Sequence, residues 1–227
     1  MRVVLIRHGE PAATPKGTFL GRTDPPLGDE GQAQAATLAQ HIVPLLLGGD
    51  SVEQGTQVQL WASPLQRAQE TAMPIAAAGG WDIQTAPELA EIDFGAWDGR
   101  TMHDIDQRWD GAGSRWVADP LDHQAPGGES LRHVGARVDS FWRQQVASAT
   151  TPLDLVLIVA HFCPLAWLGG ALLGLSASRR VTCRLQRGQA GCIELPHVGQ
   201  TERHWSGRES ESILRWWGIP IEAGGFF

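Results

Sequence analysis

Two near-continuous apolar runs, residues 2–6 and residues 155–160, lie far apart in the chain, and each leads directly to a histidine. Runs that are apolar at every position belong to strands covered on both faces, as parallel strands are. The first run delivers Arg7-His8-Gly9-Glu10 and the second delivers His161. A weaker run at residues 58–62 leads to Ser63-Pro64-Leu65-Gln66-Arg67. In an open α/β sheet the ligand crevice lies at the carboxyl ends of the strands. Residues distant in sequence, Arg7, His8, Arg67 and His161, are therefore expected to converge there.

Helical patterns alternate with these runs. Residues 29–47 carry Ala, Leu and Ile at helical spacing, with Asp29 as a credible N-cap. Residues 66–78 are Ala-rich and stop at Gly79-Gly80. Residues 130–147 place Leu131, Val134, Val138, Phe141 and Trp142 on one side. Residues 165–173 form a mostly apolar helix, in which Gly169, Gly170 and Gly174 read as close-packing points rather than a nucleotide loop. A late strand pair is expected from residues 181–186 and 192–195, around a turn at residues 188–191. Strand–helix alternation argues for an α/β fold, three layers α/β/α, with a mostly parallel sheet.

The 227 residues fit one ordinary domain, with residues 94–128 as a lid-like excursion rich in Asp, Gly and Trp and residues 202–227 as a Trp-bearing C-terminal tail. A net charge of −7 argues against nucleic-acid or anionic-membrane partners. Lys16 is the one lysine, so nearly all positive charge is arginine, the side chain suited to flat bidentate oxyanion contacts. Cys163, Cys183 and Cys192 are odd in number and lack metal-ligand spacing, which fits free thiols in a reducing compartment. The first strand comes too soon for a signal peptide to be expected, Arg7 interrupts its apolar run, and the longest apolar stretch is too short to span a bilayer, so a cytoplasmic location is expected. The acidic cluster His103, Asp104, Asp106 and Asp110 fits no tight ligand set, and no metal or organic cofactor is expected. His41, His123, His133, His197 and His204 show no partner pattern, and residues 127–130 read as a helix-entry loop.

A neutral imidazole is a competent nucleophile near neutral pH. Arginines and a second histidine can neutralise the equatorial oxygens of a phosphoryl group in transfer. Glu91, ahead of the irregular excursion, is placed to protonate a leaving oxygen. Each of these residues alone has an ordinary structural explanation: a salt bridge for Arg7-His8, a solvated helix position for Arg67, a core histidine for His161. Their joint placement at strand ends is what favours phosphoryl chemistry.

With these segments together, the chain resembles the histidine phosphatase, or phosphoglycerate-mutase-like, superfamily. Arg7-His8-Gly9-Glu10 matches its signature, residues 63–72 its second motif, residues 91–99 the segment bearing the acid, and Ala160-His161 the second histidine. The resemblance implies that His8 is phosphorylated, that Arg7, Arg67 and His161 bind the phosphate, and that Glu91 protonates the leaving group and then activates water. Within the family the chain looks most like bacterial small-molecule phosphatases of the alpha-ribazole phosphatase type, with Thr14, Gly21 and Arg22 as candidate substrate contacts. It departs from the pattern where Phe162 follows the second histidine in place of glycine, a change expected to narrow the pocket or alter the turn. Thr14 stands where mutases often have asparagine. The implied function is hydrolysis of a small phosphorylated metabolite. A phosphomutase and a non-catalytic phosphate-ligand binding protein are the alternatives, and a homodimer is left open.

Overall fold

A computed structural model describes residues 1–12, 17–47, 56–196 and 212–219. Six strands form one sheet: β1 (Arg2–Arg7), β2 (Val58–Ala62), β3 (Ile83–Thr85), β4 (Leu155–Ala160), β5 (Ala190–Glu194) and β6 (Ile213–Ile219), in the order β3-β2-β4-β1-β5-β6. β3, β2, β4 and β1 run parallel, while β5 and β6 are antiparallel additions at the far edge.

The period of two along β1 explains the layers. Val3 and Leu5 face one cluster with Val134, Val138, Phe141, Leu165 and Leu168; Val4 and Ile6 face another with Leu38, Ile42, Val43, Leu46 and Ile75. The first cluster is completed by α5 (Leu131–Phe141) and α6 (Phe162–Leu172), the second by α1 (Asp29–Leu47) and α2 (Gln66–Gly79). Val3, Val4, Leu5 and Ile6 are all fully buried, so each contributes about 1.5–3 kcal/mol of apolar burial. Both faces of the strand are covered, and the run has no polar position to lose.

Local signals set several boundaries. Ser130 caps α5 in a reciprocal box with His133, as expected of a helix-entry loop. α5 then continues into a single π-helical turn, Trp142–Ala147. α1 begins on Asp29 rather than being capped by it. The Gly28 carbonyl takes the first helical bond from Gln32 N–H at 2.9 Å, and Asp29 and Glu30 lie in the first turn, at the positive end of the helix dipole. Gly169 is a close-packing point, as a Cβ there would sit 2.8 Å from the Trp217 ring.

One expected strand is not formed. Residues 177–182 are a 3₁₀ turn and residues 183–186 have no regular structure. Their alternation is real, since Cys183 and Leu185 are buried and Arg184 is exposed, but it lines a loop rather than a sheet. The slots beside β5 are taken by β1 and by β6, which comes from the tail. The tail thus contributes Trp216 and Trp217 to a strand, while Trp205, His197 and His204 lie outside the described residues.

The excursion at residues 94–128 is less irregular than its composition suggests. It holds α3 (Met102–Arg108) and α4 (Ala112–Ala118). Its aromatic residues join the core: Phe19 meets Phe94, Trp97 and Trp116 edge-on at ring-centroid distances of 4.9, 6.4 and 5.6 Å. Asp104 caps α3 with Thr101, and Asp106 holds Ser114, so these carboxylates serve local structure.

Candidate active site

The parallel register builds the site. Arg7 on β1 pairs with Ala160 on β4, and Ala62 on β2 pairs with Val159. The residues just past those positions, His8, His161 and Ser63, therefore emerge at one level. Backbone bonds extend the ladder by one step, with His8 N–H donating to Ala160 O at 3.0 Å and Ser63 N–H to Val159 O at 3.0 Å. The rings of His8 and His161 stand 4.9 Å apart, tilted by 56°.

The signature glycine is required by close approach. A Cβ on Gly9 would lie 2.5 Å from the Gly31 carbonyl, and one on Gly31 would lie 2.1 Å from the Glu10 carbonyl. The start of α1 thus rests directly on the chain after His8. Gly9 N–H donates to Thr71 Oγ1 at 3.0 Å, and that hydroxyl donates to Arg67 O at 2.7 Å, tying the second motif to the first.

Hydrogen bonding assigns the His8 ring proton. His8 Nδ1 is 2.7 Å from the Gly9 carbonyl, which can only accept, so Nδ1 carries the proton and Nε2 presents a lone pair. Ser63 Oγ accepts from Leu65 N–H at 3.3 Å and lies 2.7 Å from His161 Nε2. A Ser63 hydroxyl that donates to Nε2 puts the His161 proton on Nδ1, and one that accepts puts it on Nε2. Burial, then the positive charge of Arg67 and Arg7, drives the His8 pKa well below its ordinary value. Burial and then His8 and Arg67 do the same for His161. Both rings are neutral at pH 7.

Arg7 and Arg67 are fixed by carbonyls. Arg7 NH1 donates to Leu185 O at 2.8 Å. Arg67 is fully buried and donates from NH2 to Gly21 O at 2.9 Å, and from NH1 to Thr23 O at 2.9 Å and Asp24 Oδ1 at 3.2 Å. Burial draws both guanidinium pKa values down, opposed first by the charge of Glu91. Arg7 Nε, Arg67 Nε and His161 Nδ1 are buried nitrogens with no hydrogen-bond partner among the described residues. An unsatisfied buried donor costs about 1–3 kcal/mol. Two buried guanidinium groups and a second imidazole beside His8, each with a nitrogen left unpaired, make the surroundings of that ring electropositive.

Glu91 sits across from them at the start of α6. Its Oε2 accepts from Phe162 N–H at 3.0 Å, and its Oε1 from Cys163 N–H at 3.1 Å and Ile92 N–H at 2.9 Å. Two of these donors are the first two amides of a helix, groups with no partner inside the helix. Arg137 supports the segment from behind, donating to Glu91 O at 3.1 Å and gripping Glu129, which accepts from Asp93 N–H at 2.9 Å.

Phe162 departs from the expectation of an altered turn. It is the first residue of α6, and among the described residues the only non-glycine with positive φ is Asp110. Helical backbone suits phenylalanine as well as glycine, so the turn is unstrained. The side chain matters instead: its ring lies under the guanidinium carbons of Arg7 at 5.5 Å and Arg184 at 5.7 Å.

The structure brings Arg7, His8, Arg67, Glu91 and His161 together. It treats the candidate substrate contacts differently. Both backbone groups of Gly21 are engaged, the carbonyl with Arg67 and the N–H with Asp98 Oδ1 at 2.8 Å. Arg22 faces Glu129 at 3.7 Å and Asp93 at 4.0 Å. Thr14 lies outside the described residues. Ser63, Thr71 and Asp98 stand inside the sequence motifs with no role expected of them, and Arg137, which reaches the carbonyls of Glu88 and Glu91, carries no signal in the sequence. No group of three or more metal-ligating side chains occurs among the described residues, and no helix among them is long and apolar enough to cross a membrane.

Comparison with known proteins agrees with this geometry. Residues 3–207 match the histidine phosphatase superfamily (branch 1). Phosphoserine phosphatase 1 of Hydrogenobacter thermophilus is 30% identical over 79% of this chain and 79% of its own. The alpha-ribazole phosphatase of Shigella flexneri superposes with a TM-score of 0.75 at 26% identity, covering 96% of each chain. Mycobacterial glucosyl-3-phosphoglycerate phosphatase superposes with a TM-score of 0.76 at 25% identity, covering 96% of this chain and 99% of its own. Phosphoglycerate mutases are also among the relatives. The fold is the mostly parallel, phosphoglycerate-mutase-like one. The chain belongs to the histidine phosphatase superfamily and is a phosphatase of the histidine type.

Proposed function

We propose that the chain hydrolyses a small phosphorylated metabolite through a covalent phosphohistidine on His8. The observation that carries this is the placing of two buried arginines, Arg7 and Arg67, and a second imidazole, His161, beside a His8 ring whose Nε2 presents a lone pair, with Arg7 Nε, Arg67 Nε and His161 Nδ1 left unpaired. A dianionic phosphoryl group pairs with those nitrogens and brings phosphorus to Nε2. The ester brings in a proton that passes to Glu91, and as the Nε2 lone pair forms the P–N bond and the P–O bond to the leaving group breaks, Glu91 hands that proton to the departing oxygen. Water then attacks phosphorus, Glu91 takes its proton, and the P–N electrons return to His8. The neutral form of His8, maintained by burial and two arginines, is the nucleophilic form. No step requires a metal ion.

By their names the relatives act on a phosphorylated amino acid, a ribazole phosphate and a glucosylated phosphoglycerate, which supports the reading of a small phosphate monoester as substrate. The test is a panel of such esters incubated with the protein and a chelator, following free phosphate beside isomerised ester. Free phosphate that is lost in His8→Ala supports hydrolysis. Isomerised ester with little free phosphate assigns a mutase, and ligand binding without turnover assigns a binding protein.

A further inference from the structure

Residues 183–189 form a loop bolted against the end of β1. Arg7 NH1 donates to Leu185 O at 2.8 Å, Arg7 N–H to Gln189 O at 2.9 Å, and Gly188 N–H to His8 O at 3.0 Å. From the other side, Trp217 Nε1 donates to Arg184 O at 2.8 Å. A loop held so firmly has a defined placement for the two arginines it carries, Arg184 and Arg187.

Each of those arginines touches a residue that abuts the phosphoryl site. The Arg184 guanidinium lies over the ring of Phe162, the residue that follows His161, holds Glu91 through its N–H and faces Arg7 with the same ring. Arg187 forms an ion pair with Glu10, two residues beyond His8, and both partners are partly exposed. Arg187 also presses its charge on Arg7, His8 and Arg67. The phosphoryl pocket already has its own donors in Arg7, Arg67 and His161. Two further cations on its edge exceed what one phosphate needs.

The geometry points to a second anion site, in which Arg184 and Arg187 receive a carboxylate or second phosphate carried by the substrate beside the phosphoryl group that His8 accepts. The site rests on the hydrolase reading of His8 and narrows it to phosphomonoesters bearing another negative group. Phe162 links the two anion positions, since its ring meets both Arg7 and Arg184. In the free protein Glu10 neutralises Arg187, and an anionic substrate group takes over that role. Arginine suits it because its planar fork binds carboxylate and phosphate oxygens in pairs.

The test uses ligands matched except for the second charge. 3-Phosphoglycerate and glycerol 3-phosphate differ by a carboxylate, and 1,3-propanediol bisphosphate and propyl phosphate differ by a phosphate. The wild-type protein is expected to favour the doubly anionic member of at least one pair in kcat/KM, and which pair identifies the group. Arg187→Gln and Arg184→Gln are each expected to lower that preference about tenfold or more, the range of a charge-assisted hydrogen bond. Arg187→Lys is expected to recover part of it. A wild-type protein with no preference in either pair overturns the site, as does an equal loss for both members of a pair. The same ligands are titrated calorimetrically into His8→Ala and its Arg187→Gln derivative. If no ester is hydrolysed the hydrolase reading falls, and the affinity ratios still decide the anion site.

Discussion

The floor of the site and its rim are built by different means. On the floor, His8, Ser63 and His161 stand one step past parallel strands whose register sets their level, and Arg7 and Arg67 are held by main-chain carbonyls. On the rim, side chains hold one another: Asp98 accepts from Gly21 N–H, Thr23 N–H and Thr23 Oγ1, Glu129 grips Arg137 and faces Arg22, and Phe19 packs edge-on into Phe94 and Trp116. A sheet register cannot change without turning every buried strand residue outward, whereas one side-chain pair can be exchanged for another. On the proposed function, the chemistry rests on the floor, whose geometry the strand register holds.

The largest effect that bears on this contrast is loss of the floor's nucleophile. His8→Ala is expected to lower kcat by ~10⁴-fold or more with phosphate binding retained, as for other covalent catalysts stripped of their nucleophile. Steady-state rates and phosphate titration check it, and substantial residual turnover would break the division of labour. Glu91→Gln comes next. It should cost about 10²–10⁴-fold for alkyl phosphates and much less for p-nitrophenyl phosphate, whose leaving group needs no proton. Equal losses on both would remove Glu91 from the leaving-group role.

Asp98→Ala tests whether the rim supports the floor. Asp98 orders the loop whose Gly21 and Thr23 carbonyls hold Arg67, so its loss should raise KM roughly tenfold and destabilise the protein by about 1.5–3 kcal/mol. A stability loss with KM unchanged would show that the two regions are uncoupled.

The smallest effect is on stability against pH. His8 and His161 have folded-state pKa values well below the ordinary 6.5, so below pH 6.5 the unfolded chain binds more protons than the folded one. Stability is therefore full above pH 6.5 and falls as pH drops, by up to about 1.4 kcal/mol per pH unit for each histidine. Denaturant titrations between pH 7.5 and 5.5 should show a shallower slope in His161→Gln than in wild type. An unchanged slope would mean that the ring is not held neutral by the fold.

The floor was legible in the sequence because its residues follow short, fully apolar runs, and a strand's end is a position that local pattern reveals. Arg7, His8 and His161 come from such places, while Arg67 lies in the first turn of the helix that follows the weaker run of β2. The misread segment, residues 181–186, has true period-two burial, but strand pairing is a non-local choice and β6 occupies the slot. Likewise, Asp98 finds its partners more than seventy positions away, and nothing near it in the sequence signals them. Phe162 could be seen as a departure, yet its consequence lay in which cations its ring meets rather than in the backbone.

The central claim is that phosphorus passes through His8 Nε2 before it meets water. The stereochemical course at phosphorus tests it directly, with a phosphomonoester made chiral by sulfur and oxygen isotopes and hydrolysed in isotopically labelled water. Two in-line displacements, first by His8 and then by water, predict net retention. Net inversion would mean a single attack by water and would contradict the covalent account.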